Sequence, residues 1–252
     1  MNIDVLTLFP EMLEAVLNTS IIGRAQAKGL ITVNLINIRD FSENKHKSVD
    51  DYPFGGGLGM VMQAQPVFSA MKSLKTQGAR RIYFSPKGNH FTQDTAKELI
   101  QEDHLILLCG HYEGIDQRII DYWITDEISI GDYILTGGEI PAMVLIDAVA
   151  RMIPGVLSSK MVYENESIYS GLLECPHYTR PREYEGMKVP EVLISGNHGK
   201  IEEWQYLKSL AITKERRKDL FEKYLKKRNE LPEKKQKEIK TFLGNGNGKN
   251  DK

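Results

Sequence analysis

Short apolar runs alternate with helix-spaced segments through the first two-thirds of this chain, and glycine collects where the runs end. "IDVLTLF" (3–9), "ITVNLINI" (31–38), "RRIYFSP" (80–86), "HLILLCG" (104–110) and "DEISIGDYIL" (126–135) read as buried strands. Between them, "PEMLEAVLNTSIIGRAQAKG" (10–29) has helical spacing at Met12, Leu13, Val16 and Leu17, with Gly29 as its stop. "TQDTAKELIQE" and "EIPAMVLIDAVARMI" read as further helices, the second with Pro141 in its first turn. Strands joined through helices give an α/β domain on a mainly parallel sheet.

Three glycine-rich turns matter most for function. "DDYPFGGGLGM" (50–60), "CGHYEGID" (109–116) and "IGDYILTGGEIPA" (130–142) lie in this α/β region and are expected at the C-terminal ends of strands. Ligands of open α/β sheets sit at the C-terminal ends of the strands. Glycine lets backbone N–H and C=O groups approach a flat ligand such as adenine. Taken singly, each loop is a tight turn; the three together point to a nucleotide-like ligand. Neither a phosphate-binding G-x-x-x-x-G-K-[ST] nor a G-x-G-x-x-G is present. H-E-x-x-H, paired cysteines and G-x-S-x-G are missing too, which sets aside zinc and a serine triad.

The pattern changes after about residue 160. The chain loses a clear period, then becomes helical, polar and basic. Residues 214–240 hold 12 Lys and Arg against 6 Asp and Glu, or +6, although the net charge of the chain is −1. Such a segment attracts phosphate, or forms solvated helices laced with opposite charges. The expected layout is a domain over 1–160, a linker over 161–170, a helical domain over 171–243 and a polar tail over 244–252. Two cysteines exclude a disulfide framework. No leader pattern opens the chain, and no apolar run reaches the ~20 residues of a membrane helix. A cytoplasmic protein is expected.

"LFPEM", "GRA", "DDYPFGGGLGMVM", "CGHYEGID", "SIGDYILTGGEIPAM", "RMIPGVL", "GLLECPHYTRP" and "VPEVLISGNH" occur in this order. Through them the chain, over residues 1 to about 240, closely resembles the bacterial tRNA (guanine(37)-N(1))-methyltransferases, the TrmD family of the SPOUT superfamily. The resemblance implies a homodimer whose N-terminal parallel-sheet domain carries a deep trefoil knot, which strand patterns alone would argue against. It implies S-adenosylmethionine as methyl donor and N1 of guanine 37 of tRNA as acceptor.

Carried onto this chain, the resemblance places the cofactor against Tyr83, Ser85 and Pro86, against Gly110, and along Ile130, Gly131, Asp132, Tyr133, Ile134 and Leu135. Glu113 falls near its reactive end, and Gly137 and Gly138 shape the knot. Arg151 becomes catalytic, although alone it reads as a cation at a helix end. His46, Asp50 and Arg180 become tRNA contacts, although a lone His46 reads as a surface histidine. Mg²⁺ comes with the family as a candidate ion. The sequence shows no carboxylate cage for it, so it would sit partly on substrate and no metal ligand is assigned.

Methylation of N1 requires a base for the N1 proton and a donor for the charge that builds on O6. Arg151 suits the donor role, since a guanidinium stays protonated. The family's proposed base is an Asp just before "GLLE"; here "ESIYSGLLE" puts Glu166 at that place, one methylene longer, with Glu164 as its rival. Tyr52 and Leu58 depart from the residues frequent in the family, Arg and Pro. Two other readings compete: a catalytically silent RNA-binding protein of the same fold, and a small-molecule nucleotide enzyme of ordinary doubly wound fold. The basic C-terminal helices speak against the latter.

Overall fold

The computed structural model of the chain describes residues 1–159 and 166–245. Two compact units are present, Met1–Lys160 and Met161–Lys252. Glu164 and most of the tail expected over 244–252 lie outside the described residues.

The first unit is built on a five-stranded parallel sheet. Its strands are β1 (Asn2–Thr7), β2 (Thr32–Asn37), β5 (Arg80–His90), β6 (His104–Leu108) and β7 (Asp126–Ser129), in the order β2-β1-β6-β5-β7. A parallel sheet is covered on both faces, so its central strands read as continuous apolar runs. β1 and β6 do: Val5, Leu6, Leu105, Ile106, Leu107 and Leu108 are all fully buried. The helices that cover the sheet include α1 (Pro10–Leu17), α2 (Ser20–Ala27), α3 (Ala64–Lys72), α4 (Gln93–Leu99), α5 (Gln117–Trp123) and α6 (Glu139–Ala150). One core cluster joins Leu6, Ile106 and Leu108 of the sheet to Val67 and Met71 of α3 and Ile119 of α5. The short antiparallel pair β3 (Asp50–Asp51) and β4 (Val61–Met62) closes the base of the 50–60 glycine loop.

Two sequence expectations are corrected. The helix expected over 10–29 breaks at Asn18–Thr19, because Ser20 takes a left-handed φ of 52° and the helix restarts there. The strand expected over 126–135 ends at Ser129. Gly131, at φ 150°, turns the chain out of the sheet, so residues 130–138 run as bends. That segment is thereby released from the sheet ladder.

The second unit holds a small hairpin, β8 (Glu183–Tyr184) with β9 (Met187–Lys188), and the helices α7 (Glu191–Ile194), α8 (His198–Arg216), α9 (Lys218–Lys226) and α10 (Glu233–Asn245). Its core is small: Leu172, Leu210, Phe221, Tyr224 and Ile239. The described part of the expected linker, 166–170, is a hydrogen-bonded turn. Ile168 N–H donates to Leu172 O at 2.9 Å, and Gly171 N–H to Ile168 O at 3.0 Å. Just beyond the turn, buried Leu172 and the bond from Leu173 N–H to Thr213 Oγ1 at 2.8 Å tie the chain to α8.

Candidate active site

A cleft of about 310 Å³ opens at the C-terminal edge of the sheet, at the low end of the roughly 300–1,000 Å³ usual for ligand pockets. One wall is the middle of β5, with Tyr83, Ser85 and Pro86. A second is the loop after β6, with Gly110, His111, Tyr112 and Glu113. The third is the released segment, with Ile130, Gly131, Tyr133, Ile134 and Leu135, closed by Gly137 and Gly138. The structure therefore brings together every expected cofactor residue except Asp132. That side chain points away: it is 89% exposed and pairs with His90 at 3.4 Å.

The walls cross closely at Gly138. Its N–H donates to Gly110 O at 3.0 Å, and a Cβ at Gly138 would stand 2.6 Å from Cys109 Cα, a backbone atom that cannot yield. The second wall is held from outside the sheet as well. Glu113 N–H donates to Met60 O at 2.9 Å, and Met62 N–H to Gly114 O at 3.0 Å, so the 50–60 loop buttresses the 110–114 loop.

Chemically the cleft mixes apolar and polar surface and carries little charge. Among the described residues that line it, Glu113 has the sole carboxylate and there is no Lys or Arg. That composition does not suit a polyphosphate, which needs cations or an anion nest. It suits a ligand with a flat heteroaromatic part and a positive charge. Burial, helped by Glu127, pushes the Tyr83 phenol up to about 12, so it stays neutral at physiological pH. Burial pushes the Cys109 thiol well up, which makes it an inert core group rather than a nucleophile.

The remaining predicted residues lie elsewhere. Arg151 is the C-terminal cap of α6, its N–H donating to Asp147 O at 3.3 Å. Glu166 opens the turn of the second unit, half-buried, its carbonyl accepting from Ser170 N–H at 3.3 Å. His46 is exposed in a turn where its N–H donates to Asn44 Oδ1 at 2.8 Å. Asp50 begins β3, opposite Met62. Arg180 is exposed in the second unit. No group of three or more His, Cys, Asp or Glu that could hold a metal is found among the described residues.

Sequence reasoning missed His111, Glu139 and Thr7. His111 lines the cleft, and its ring nitrogen Nε2 lies 2.8 Å from the carboxylate of buried Glu139. An acidic residue in a first helical turn reads as a partner of the helix dipole. Nothing in the local pattern marks it as buried.

Comparison with known proteins shows the family. A family model described as tRNA (Guanine-1)-methyltransferase TrmD matches residues 1–223. The tRNA (guanine-N(1)-)-methyltransferase of Ruminiclostridium cellulolyticum is 60% identical over 226 residues, 88% of this chain and 97% of the relative. That of Alkaliphilus metalliredigens is 57% identical over 235 residues, 91% and 95% of the two chains. That of Clostridioides difficile is 56% identical over 227 residues, 88% and 98%.

Proposed function

The chain belongs to the TrmD family of tRNA (guanine-1)-methyltransferases, and from that premise we propose that it methylates N1 of the guanine at position 37, next to the anticodon. It is an enzyme, a tRNA (guanine-N(1))-methyltransferase, and its fold is the α/β SPOUT class. S-adenosylmethionine is the methyl donor general to such enzymes. The observation that carries the reading is the match along residues 1–223.

The cleft fits this donor. Gly138 and Gly110 leave space where a side chain would clash, and the bends over 130–138 keep backbone donors and acceptors out of a ladder. Ile134, Leu135 and Pro86 offer apolar contact to an adenosine, and Glu113 offers a negative charge to a sulfonium. When bound, S-adenosylmethionine supplies an electrophilic methyl group. Glu166 then accepts the N1 proton of guanine, and the Arg151 guanidinium donates to O6 as charge builds there. Mg²⁺, the ion that comes with the family, would sit partly on substrate.

For tRNA, His46, Asp50 and Arg180 are all exposed or half-exposed and so can reach a splayed anticodon loop. The basic helices of the second unit offer phosphate contacts. A homodimer is supported by apolar residues at the surface of the first unit. Met12 and Val16 on α1, and Ile140 and Val144 on α6, are each 41–45% exposed at i,i+4 spacing on two helices that pack together. A second copy of the chain would cover them. Among the described residues, no helix is long and apolar enough to cross a membrane; with a tRNA substrate, this supports a place in the cytoplasm.

The test is transfer of a labelled methyl group to tRNA transcripts carrying guanine or adenine at position 37. Label at N1 of guanine 37, and none on the adenine transcript, is expected. Tight tRNA binding with no transfer would favour the silent RNA-binding protein instead.

A further inference from the structure

A buried network joins three segments beneath the cleft. Glu139, the first residue of α6, has a side chain 1% exposed. Its Oε1 accepts from the Thr7 hydroxyl at 2.6 Å, and its Oε2 lies 2.8 Å from His111 Nε2. Thr7 ends β1, is fully buried, and its Oγ1 accepts from Phe9 N–H at 2.9 Å. The hydroxyl hydrogen is therefore the one that goes to Glu139. In the tautomer that completes this network, His111 presents N–H at Nε2 to Glu139 Oε2. The imidazole packs against the Phe9 ring, with centroids 4.9 Å apart, while lining the cleft.

A carboxylate this deeply buried is costly unless both oxygens are bound. Here they are, and the N-terminus of α6 adds a favourable field. The network also shares its space with the third wall: a Cβ at Gly137 would stand 2.3 Å from His111 Nε2 and 2.6 Å from Glu139 Oε2. The relay thus links the end of β1, the loop after β6 and the start of α6. It has no proton to move in the methyl-transfer step.

Resting on the reading of the cleft as the S-adenosylmethionine site, we propose that the Thr7–Glu139–His111 relay is a positioning device for the cofactor. It holds His111, and with it the 110–114 loop that carries Glu113, in register with the 137–138 turn. The cleft then has its shape before the cofactor arrives. His111 is a positioning residue here, and Glu139 acts through it.

The test uses the full chain and four substitutions, His111→Gln, His111→Leu, Glu139→Gln and Thr7→Val. Each variant is measured by calorimetric titration with S-adenosylmethionine, by single-turnover methyl transfer at saturating cofactor, and by thermal melting. His111→Leu keeps bulk without a donor, and Glu139→Gln removes the charge, so both should raise the cofactor Kd about 10-fold or more. His111→Gln keeps an N–H for Glu139 and should stay within about 3-fold of wild type. In the weakened variants the Kd should rise by a larger factor than the transfer rate falls. Should Glu139→Gln fail to fold, Thr7→Val removes a single bond and still predicts an affinity loss of about 3-fold. The proposal is overturned if His111→Leu and Thr7→Val bind like wild type, or if the Leu and Gln variants at His111 are equally impaired. A wild-type protein that binds no cofactor would instead remove the reading of the cleft itself.

Discussion

The cleft of the first unit and the turn that opens the second hold two carboxylates at different depths. Glu139 is 1% exposed with each oxygen on a partner. Glu166 sits half-buried on a turn whose backbone bonds are local. A carboxylate locked on both sides can fix geometry and has no room to accept a substrate proton. A half-buried one keeps access to water, to which an accepted proton can pass. The reaction role proposed for Glu166 therefore falls on the less buried of the two carboxylates, and the shaping role proposed for Glu139 on the more buried.

The comparison breaks most visibly at Arg151. If chemistry rests on exposed or half-exposed side chains and shape on the cleft, Arg151→Ala should lower the single-turnover rate about 10²–10³-fold, the loss typical of a missing charge-stabilising donor. Cofactor affinity should stay near wild type. Parallel loss of affinity would place Arg151 in the cleft's architecture.

Two glycine substitutions come next, one from each unit. In Gly138→Ala the added Cβ meets backbone at 2.6 Å, so denaturant unfolding should show about 1–3 kcal/mol of destabilisation, with cofactor binding lost. In Gly171→Ala the Cβ meets only the Tyr224 ring at 3.1 Å. Its cost is that of a left-handed residue at φ 86°, about 1–2 kcal/mol. It should leave cofactor binding intact. An equal loss of binding in both variants would erase the division between units.

These contrasts were unevenly legible in the sequence. The apolar runs of β1 and β6 announce buried strands because both faces of a parallel sheet are covered. The glycine turns announce the cleft because backbone approach requires glycine. The break at Ser20 was not visible: the apolar spacing continues past Asn18, and a single left-handed residue leaves no periodic trace. The end of β7 was also hidden, because "IGDYIL" looks strand-like until Gly131 turns it out. Thr7, His111 and Glu139 were illegible, since they meet only through the fold, 28 to 132 residues apart. Glu166 and Arg151 came from family resemblance, and no local pattern singles them out.

The smallest expected effect concerns acid stability. Asp126 on β7 accepts two bonds from Arg80 on β5, at 2.9 and 2.7 Å. The hydrogen bond to Arg80, against the cost of burial, holds its carboxyl below the usual range. A depressed folded pKa stabilises above the unfolded value, roughly 3.9, and that gain fades as pH falls through the folded value. Asp126→Asn should therefore cost about 1 kcal/mol or less at neutral pH and flatten the stability curve below about pH 4. Asp219, held down to about 2 by its hydrogen bonds to Arg217, is exposed, and Asp219→Asn should leave the melting curve unchanged. A larger shift from Asp219 than from Asp126 would reverse the order of the two units.

The division between shape and chemistry is tested most directly at Glu166, by measuring cofactor Kd and single-turnover methyl transfer side by side on Glu166→Gln, with Glu166→Asp and Glu164→Gln as controls. The account predicts a Kd within about 2-fold of wild type and a rate lower by about 10²-fold or more for Glu166→Gln, with both controls active. A near-normal rate in Glu166→Gln, above all with transfer abolished in Glu164→Gln, would contradict it and move the base to Glu164.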